Sequence, residues 1–313
     1  MMIYHGLENL NIDYPTAVTV GSFDGIHLGH QQILKVLKKK ALKCRCSEVL
    51  LTFHPHPRLV VGPPDRAKPQ FLTTLDEKLE LLQNYEIPAI LIIPFTKEFS
   101  QTSYRHFIKE FLVDRLKVQE MVIGHDHTFG RNREGHPEQL KKNGKEFGFN
   151  VTVVDALFVD DQPVSSTRIR KALQQGRMAE AAKLLGRPYF FHGTVVEGDH
   201  RGQKLGFPTA NLELSDSHKL LPAAGVYAVE VLLKNQRYSG MMNIGHRPTF
   251  NFDPLTLEVH IFKFTGSIYG ETLKVEIGKF IREEKKFSSK EELIKQLEND
   301  KQICQNLKYP EVD

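Results

Sequence analysis

At 313 residues the chain has the length of two domains, at roughly 150 residues each, and its 40% hydrophobic and 26% charged residues are the balance of a globular protein with a core in both. A net charge of +4 suits anionic ligands such as nucleotides and is too small to argue for nucleic acid by itself. The 3 cysteines supply neither a disulfide framework nor a four-ligand zinc set, no run of ~20 apolar residues spans a bilayer, and MMIYHGLENL lacks the basic start and apolar run of a signal peptide, so a reducing cytoplasm is the expected setting.

The first clear pattern is an apolar strand, Ala17–Val20, running into GSFDGIHLGH, Gly21–His30. An amphipathic helix follows, with Ile33, Leu34, Leu37 and Ala41 on one face. Gly21, Gly25 and Gly29 remove side chains where strand becomes helix, so a ligand can approach the backbone. His27 and His30 stand three apart on one side of the first helical turn. The free N–H groups and positive dipole end of that helix favour a phosphate between them. Two histidines so spaced also fit a partial metal site or plain polar surface. The coincidence of Asp24, three glycines and both histidines at one junction favours a nucleotide-phosphate cradle. The stretch resembles the HxGH nucleotidyltransferases. Its longer form, GxFDGxHxGH, resembles the adenylyltransferase half of the prokaryotic bifunctional riboflavin kinase/FMN adenylyltransferases, the FAD synthetases.

A short strand, Glu48–Phe53, leads into HPHPRLVVGPP. His54 and His56 each precede a proline and are held extended; they read as loop residues lining a cleft or solvent rather than as metal ligands. Thr74 with Glu77 forms a capping box. Then come a strand at Ala89–Ile93, a helix carrying Phe107, Ile108, Phe111 and Leu112, and a strand at Glu120–Ile123. The loop GHDHTFGRNREG, a further helix and a strand at Val151–Val154 complete the alternation. Such a pattern predicts an α/β domain, a parallel sheet with helices on both faces. Ligands of such sheets sit beyond the carboxyl ends of the strands, where Gly21–His30 and Gly124–Gly130 both fall. The second of these loops resembles the family's GxDxxFG signature, which implies that Asp126 and Phe129 help hold the flavin or the reacting phosphates. His127 stands where many relatives carry Phe, and His54 where they often carry an acidic or small polar residue. In VSSTRIR, Val164–Arg170, Ser166 and Thr167 offer hydroxyls and Arg168 a charge-assisted grip on phosphate. Taken alone these are ordinary N-caps and a solvated arginine; with HxGH upstream the phosphate reading prevails.

The pattern changes after a helix at Ala179–Leu185, where Gly186-Arg187-Pro188 is a stop and linker, dividing the chain into 1–185 and 186–313. Strands follow at Phe190–Val196, Val226–Leu233, Arg237–Ile244, Thr256–Phe264 and Leu273–Phe280, short runs between turns that predict an antiparallel barrel. Ser289 with Glu292 starts a closing helix. In the loop GDHRGQKLGFPTAN, Gly198–Asn211, Gly202 and Gly206 allow close approach to phosphates and Lys204 supplies charge. Thr209 and Asn211 offer oxygen ligands suited to Mg²⁺ held with ATP phosphates. The loop resembles that of riboflavin kinases. Glu258, on LEVHIF, shares a face with His260, inward if Leu257, Val259 and Ile261 look the other way. A glutamate pointing into a barrel is costly unless paired, which favours a task over a structural salt bridge. FIREEKKF, Phe280–Phe287, resembles the kinase's flavin-side loop, with Arg282 its contact. Lys263 and Ser267 replace acidic residues common nearby in relatives; lying in a turn, they are expected to matter little.

The resemblance implies an N-terminal Rossmann-like nucleotidyltransferase domain with a parallel sheet and a C-terminal antiparallel β-barrel riboflavin kinase domain with a terminal helix. It implies that MgATP phosphorylates riboflavin to FMN, with Glu258 as base and Thr209 and Asn211 at the metal. It further implies that FMN then takes AMP from a second ATP, with His27, His30 and Arg168 at the reacting phosphates. Gly21, Phe23, Asp24, Gly29, Ser166, Thr167, Gly202, Lys204 and Gly206 bind ATP or its phosphates, and Asp126, Phe129 and Arg282 the flavin. The expected partners are riboflavin, FMN and ATP, with no nucleic acid, no membrane and a monomer by default. Three rivals stay open: an adenylyltransferase with a silent barrel, a nucleotidyltransferase for another phosphate compound, and a flavin-sensing regulator that binds nucleic acid.

Overall fold

The computed structural model describes residues 1–6, 10, 12–62, 68–128, 130, 135–198, 201–245 and 255–307. They form two compact units, residues 1–70 with 75–165, and residues 71–74 with 166–313.

The first unit runs β1 (Met2–His5), β2 (Thr16–Val20), α1 (Leu28–Cys44), β3 (Ser47–His54), α2 (Pro57–Val61), α3 (Leu75–Gln83) and β4 (Ala89–Pro94). It continues with α4 (Lys97–Ser100), α5 (Tyr104–His106), a π-helical segment (Phe107–Arg115), β5 (Val118–Gly124), α6 (Pro137–Phe147) and β6 (Asn150–Val154). Every pairing in the sheet is parallel, in the order β1-β4-β3-β2-β5-β6. β2 is buried along its whole length, as a strand covered on both faces must be. Ala17 packs with Leu37 and Ala41 of α1 and with Val122 and Val154; Val18 and Val20 join Val49, Leu51, Leu91 and Ile108 in a second cluster. The chain leaves β2 for β3 on one side and later returns to β5 on the other. The winding therefore reverses between β2 and β5, and a parallel sheet opens a crevice at such a switch point, beyond the carboxyl ends of its strands.

Three local features depart from the sequence pattern. β1 is too short to show a period; its register with β4, Met2 against Ala89 through His5 against Ile92, makes it a strand. The helix around Phe107 widens to i→i+5 bonding, with Leu116 N donating to Phe111 O at 3.1 Å, and stacks the rings of Phe107 and Phe111 with centroids 5.4 Å apart. A hairpin of β7 (Phe158–Val159) and β8 (Gln162–Pro163) turns through Asp160 and Asp161 at φ +52° and +56°, the left-handed pair a two-residue turn needs. Cys44 and Cys46 are bonded across Arg45, the left-handed cap of α1, a local staple rather than a framework.

The second unit begins with α7 (Ser166–Gln174) and α8 (Met178–Leu185), which pack on each other. Then come β9 (Tyr189–Val196), α9 (Arg201–Lys204), β10 (Ala210–Glu213), β11 (Gly225–Leu233), β12 (Gln236–Gly245), β13 (Thr256–Ile261), β14 (Thr272–Arg282) and α10 (Lys290–Asn306). α8 packs on β9 and β14, so the helices that precede the Gly186–Pro188 linker belong by packing to this unit. The strands close a barrel, β10-β13-β12-β11-β14-β9, with β10 the strand that sequence periodicity missed. Ala228, Met241 and His260 stand side by side on β11, β12 and β13. Ala228 and Met241 pack with Cys304 of α10, beside Ile294 and Leu297. That face is the outer one, and Tyr227, Met242 and Val259 alternate into the interior. Ser289 caps α10 through Glu292 N at 3.1 Å, as the capping pattern predicts. The return bond to Glu292 comes from Ser288, not Ser289.

Candidate active sites

In the first unit the Gly21–His30 turn leaves β2 at the switch point. It is a strained piece of backbone: Phe23 and Ile26 have φ of +48° and +40°, a region that costs non-glycine residues of order 1–3 kcal/mol each. Burial holds them there, at 2% and 0% exposure. Phe23, predicted to meet ATP, lies under the site, its ring 5.2 Å from that of His30. Asp24 is buried as well. His27 caps α1, its Nδ1 accepting from His30 N at 3.3 Å, which assigns the proton of the neutral ring to Nε2. The two imidazoles are stacked, centroids 3.6 Å apart and planes 16° apart. A phosphate therefore cannot lie between them, and one N–H of the helix end is already in use. Gly29 lets the stack form, since a Cβ there would sit 3.2 Å from the His27 ring and 3.8 Å from Val164 O. The second contact places the start of the Val164–Arg170 motif beside the cradle.

The Gly124 loop leaves β5 at the same edge. A Cβ at Gly124 would lie 3.3 Å from both Asp126 Oδ1 and Ile33 Cδ1 of α1, so the loop and the helix both close on this glycine. Phe129 lies outside the described residues. The His127 ring is enclosed although the residue keeps some surface, and burial pushes it down to about 4, with Asp126 opposing. The folded state resists protonation, so this contribution to stability is whole above the ordinary value of 6.5 and is lost as pH falls toward 4, by roughly 2–3 kcal/mol. Urea unfolding of the first unit at about pH 7 and about pH 4 is expected to show that loss, and His127→Phe to remove it. His54 is exposed but is the last residue of β3, paired with Pro94, rather than a loop residue as expected; His56, beyond the strand, caps α2 through Arg58 N at 3.1 Å. In the second unit Ser166 and Thr167 open α7, and Arg168 Nε is held by Glu180 Oε1 at 3.0 Å. A cleft of about 750 Å³ walled by Lys40, Lys141, Lys145 and Asn150 lies at the amino-terminal edge of the sheet and includes none of the predicted site residues.

On the barrel, one rung of strand pairing gathers much of the predicted kinase chemistry. Arg282 pairs with Val226, Val226 with Asn243, Asn243 with Glu258, and Glu258 with Asn211. Directly opposed residues share a face, and this is the face of His260 and Met241. Glu258 therefore looks outward, half-buried, because Leu257 and Val259 fill the interior. The expectation that Glu258 points into the barrel is thus overturned by the register of β13. Sequence reasoning missed Asn243, a lone polar residue between Met242 and Ile244, and Glu284, which accepts from Asn243 Nδ2 at 3.4 Å and lies where a Cβ on Gly245 would be.

The PTAN loop is tied to this rung at both ends. His260 Nδ1 is 2.7 Å from Pro208 O; a carbonyl only accepts, so Nδ1 carries the proton. Burial, opposed by this bond and aided by Lys301, holds the ring below its ordinary value, and so neutral. A Cβ on Gly198 would overlap the Asn211 amide, and one on Gly202 would overlap Phe207 O and approach Thr209 Oγ1 to 3.1 Å. Gly202 is thus required by the loop's own closure, and Gly206 by a φ of +80°. Lys204 lies in α9, its side chain outside the described residues. The Thr209 hydroxyl, the Asn211 amide and the Glu258 carboxylate form a hard oxygen set. Hydroxyl, amide and carboxylate oxygens are donors of the kind that suit Mg²⁺ shared with nucleotide phosphates.

Arg282 is committed within the protein. Nε and Nη2 reach Asp300 of α10 at 2.9 and 2.7 Å, and Nη1 reaches Glu283 O at 2.9 Å. Asp300 is fully buried and takes a further bond from Gln296 Nε2 at 2.8 Å. Asp300→Ala leaves the guanidinium without its anion and is expected to cost about 3 kcal/mol in urea unfolding of the barrel, with Asp300→Asn intermediate.

Comparison with known proteins gives two family matches, FAD synthetase over residues 10–168 and riboflavin kinase over residues 185–308. A relative from Listeria monocytogenes, a bifunctional riboflavin kinase/FMN adenylyltransferase, is 38% identical, with 93% of this chain and 91% of that protein aligned. One from Escherichia coli K12 with the same description is 37% identical over 96% of each chain. A crystal structure from Streptococcus pneumoniae, described as a macrolide-efflux protein, has a TM-score of 0.90 at 32% identity, covering 98% of this chain and 100% of that one.

Proposed function

The chain belongs to the family of bifunctional riboflavin kinase/FMN adenylyltransferases, and from that premise we propose which residues carry each reaction. The enzyme phosphorylates riboflavin to FMN and joins FMN to AMP from ATP, releasing pyrophosphate. We propose the functional division at 185/186, which is supported by a riboflavin kinase match over residues 185–308, while the packing units divide at 165/166. The observation that carries the kinase assignment is the rung joining Asn211, Glu258, Asn243 and Arg282.

In the barrel the 5′-hydroxyl of riboflavin attacks the γ-phosphorus of ATP and ADP leaves. A ribityl hydroxyl is a poor nucleophile, and Glu258 accepts its proton. Thr209 and Asn211 hold Mg²⁺, which when bound offsets charge on the transferring phosphates. Gly202, Lys204 and Gly206 shape the phosphate side. Arg282 stands on the flavin side, where its bond to Asp300 also fixes α10.

In the first unit the nucleophile is the FMN phosphate, already ionised, and it attacks the α-phosphorus of the second ATP. No base is needed; two anions must be aligned and the leaving pyrophosphate stabilised. The edges of the His27–His30 stack donate to the phosphates. Gly21, Asp24 and Gly29 shape the approach, with Phe23 beneath. Ser166, Thr167 and Arg168, which fall within the FAD synthetase match over residues 10–168, are assigned to phosphate by sequence, and Asp126 and Phe129 serve the flavin. No nucleic acid, membrane or second subunit enters the scheme, whose setting is the cytoplasm; among the described residues no helix is long and apolar enough to cross a membrane. The efflux description of the Streptococcus structure is not adopted, because both family matches and the curated relatives name the two flavin reactions.

The test is a product assay with riboflavin, ATP and Mg²⁺, separating FMN from FAD by chromatography, with parallel tubes started from FMN. FMN followed by FAD is expected. FAD from FMN without FMN from riboflavin would leave the barrel silent and overturn the kinase half.

A further inference from the structure

A lysine is seldom inside a protein unless something keeps it there. Lys78, on α3, is 6% exposed. Its Nζ donates to Thr52 Oγ1 at 3.1 Å, and that hydroxyl is 3.4 Å from Ser22 O, which it can bond in turn. Thr52 lies near the carboxyl end of β3 and is itself fully buried. Ser22 opens the strained turn that carries the cradle, and Asp24, two residues on, is buried at 4% exposure. The Lys78 ammonium and the Asp24 carboxylate attract each other; burial pushes the lysine down to about 8 and Asp24 pulls it back, so it keeps its charge at neutral pH.

We infer that Lys78 is a positioning residue for adenylyl transfer: through Thr52 it fixes the Ser22–Asp24 turn, and its charge compensates Asp24 beneath the phosphate cradle. Two polyanions must meet at the Gly21–His30 edge. A buried carboxylate in the turn opposes that meeting, and burial weakens the screening of its charge. The ammonium of Lys78, hydrogen-bonded to the turn through Thr52, attracts that carboxylate. Burying the ammonium is costly, and a methionine in its place would spare that cost only by leaving the buried Asp24 carboxylate without it. A residue kept against its own desolvation at the base of a reaction site points to function.

The inference rests on the assignment of adenylyl transfer to the Gly21–His30 turn, and His30→Ala is run beside it. If His30→Ala spares FAD formation, that assignment fails; if it abolishes FAD formation while Lys78→Met does not, the inference alone fails. Lys78→Met is expected to lower the unfolding midpoint of the first unit, because it removes one partner of a buried charge pair, and to leave FMN formation unchanged. It lowers kcat/KM of adenylyl transfer by at least about tenfold, mostly through KM for ATP, as for a repulsion felt equally in ground and transition states. Adding Asp24→Asn to Lys78→Met is expected to lower that KM again, because the uncompensated charge is removed. Thr52→Val, which keeps the volume and severs only the link to the turn, is expected to raise KM about threefold. Unchanged adenylyl kinetics in folded Lys78→Met, or a loss confined to kcat in proportion to the unfolded fraction with KM for ATP unchanged, would overturn the proposal. So would a double variant no better than Lys78→Met.

Discussion

His30→Ala is expected to reduce FAD formation from FMN by about 10²–10³-fold, the usual loss when one donor to developing charge is removed, and to leave FMN formation from riboflavin unchanged. The size follows from what the imidazole does in the fold. Its ring is stacked 3.6 Å from that of His27 and backed by Phe23 at 5.2 Å, so its donor edge is held before substrate arrives and needs no reorganisation during reaction. Alanine also removes one ring of the stack and frees His27 to turn, although His30 N still bonds His27 Nδ1. The loss should appear chiefly in kcat, because charge on the leaving pyrophosphate grows only toward the transition state. The fold of the first unit should survive, since the side chain is only partly buried. Steady-state assays from each flavin, run on the same preparation, check both halves.

Glu258→Gln is expected to lower FMN formation by about 10²–10⁴-fold while FAD formation from supplied FMN is retained. Glutamine keeps the size and the neighbours of the side chain. Asn211 and Asn243 flank position 258 in register on either side, and an amide can hydrogen-bond to both, so the rung stays formed. What is lost is the capacity to accept the proton of the ribityl hydroxyl. The effect should therefore fall on kcat, with little change in the KM for riboflavin. A fall in KM-linked binding alone would assign Glu258 to positioning instead.

The first unit was largely legible in the sequence because its signals are local and strong. Apolar runs of strand length alternate with amphipathic stretches, and Leu34, Leu37 and Ala41 are buried on the face that the 3.6 period assigns. The HxGH turn was found from residue types and spacing, yet spacing could not give the ring stack, which depends on side-chain rotamers and on the space left at Gly29. The barrel was less legible. Period-two alternation located five strands but could not say which face is interior, since the face of β13 that carries the half-buried Glu258 also carries the buried His260. That is why Glu258 was expected to point inward. β10 escaped notice because four residues show no period, and with it went the register that aligns Asn211 with Glu258. Asn243, Glu284 and Asp300 are not motif residues of any local pattern. Their place follows from pairings between strands far apart in the chain, such as Val226 with Arg282.

The central claim is that two chemically independent sites share one chain, and the most direct measurement assays His30→Ala and Glu258→Gln side by side, each given riboflavin and, separately, FMN, with ATP and Mg²⁺. The account predicts complementary losses: His30→Ala accumulates FMN and makes little FAD, whereas Glu258→Gln makes little FMN from riboflavin and converts supplied FMN to FAD at the normal rate. Loss of both products in either variant, with the fold intact, would contradict it.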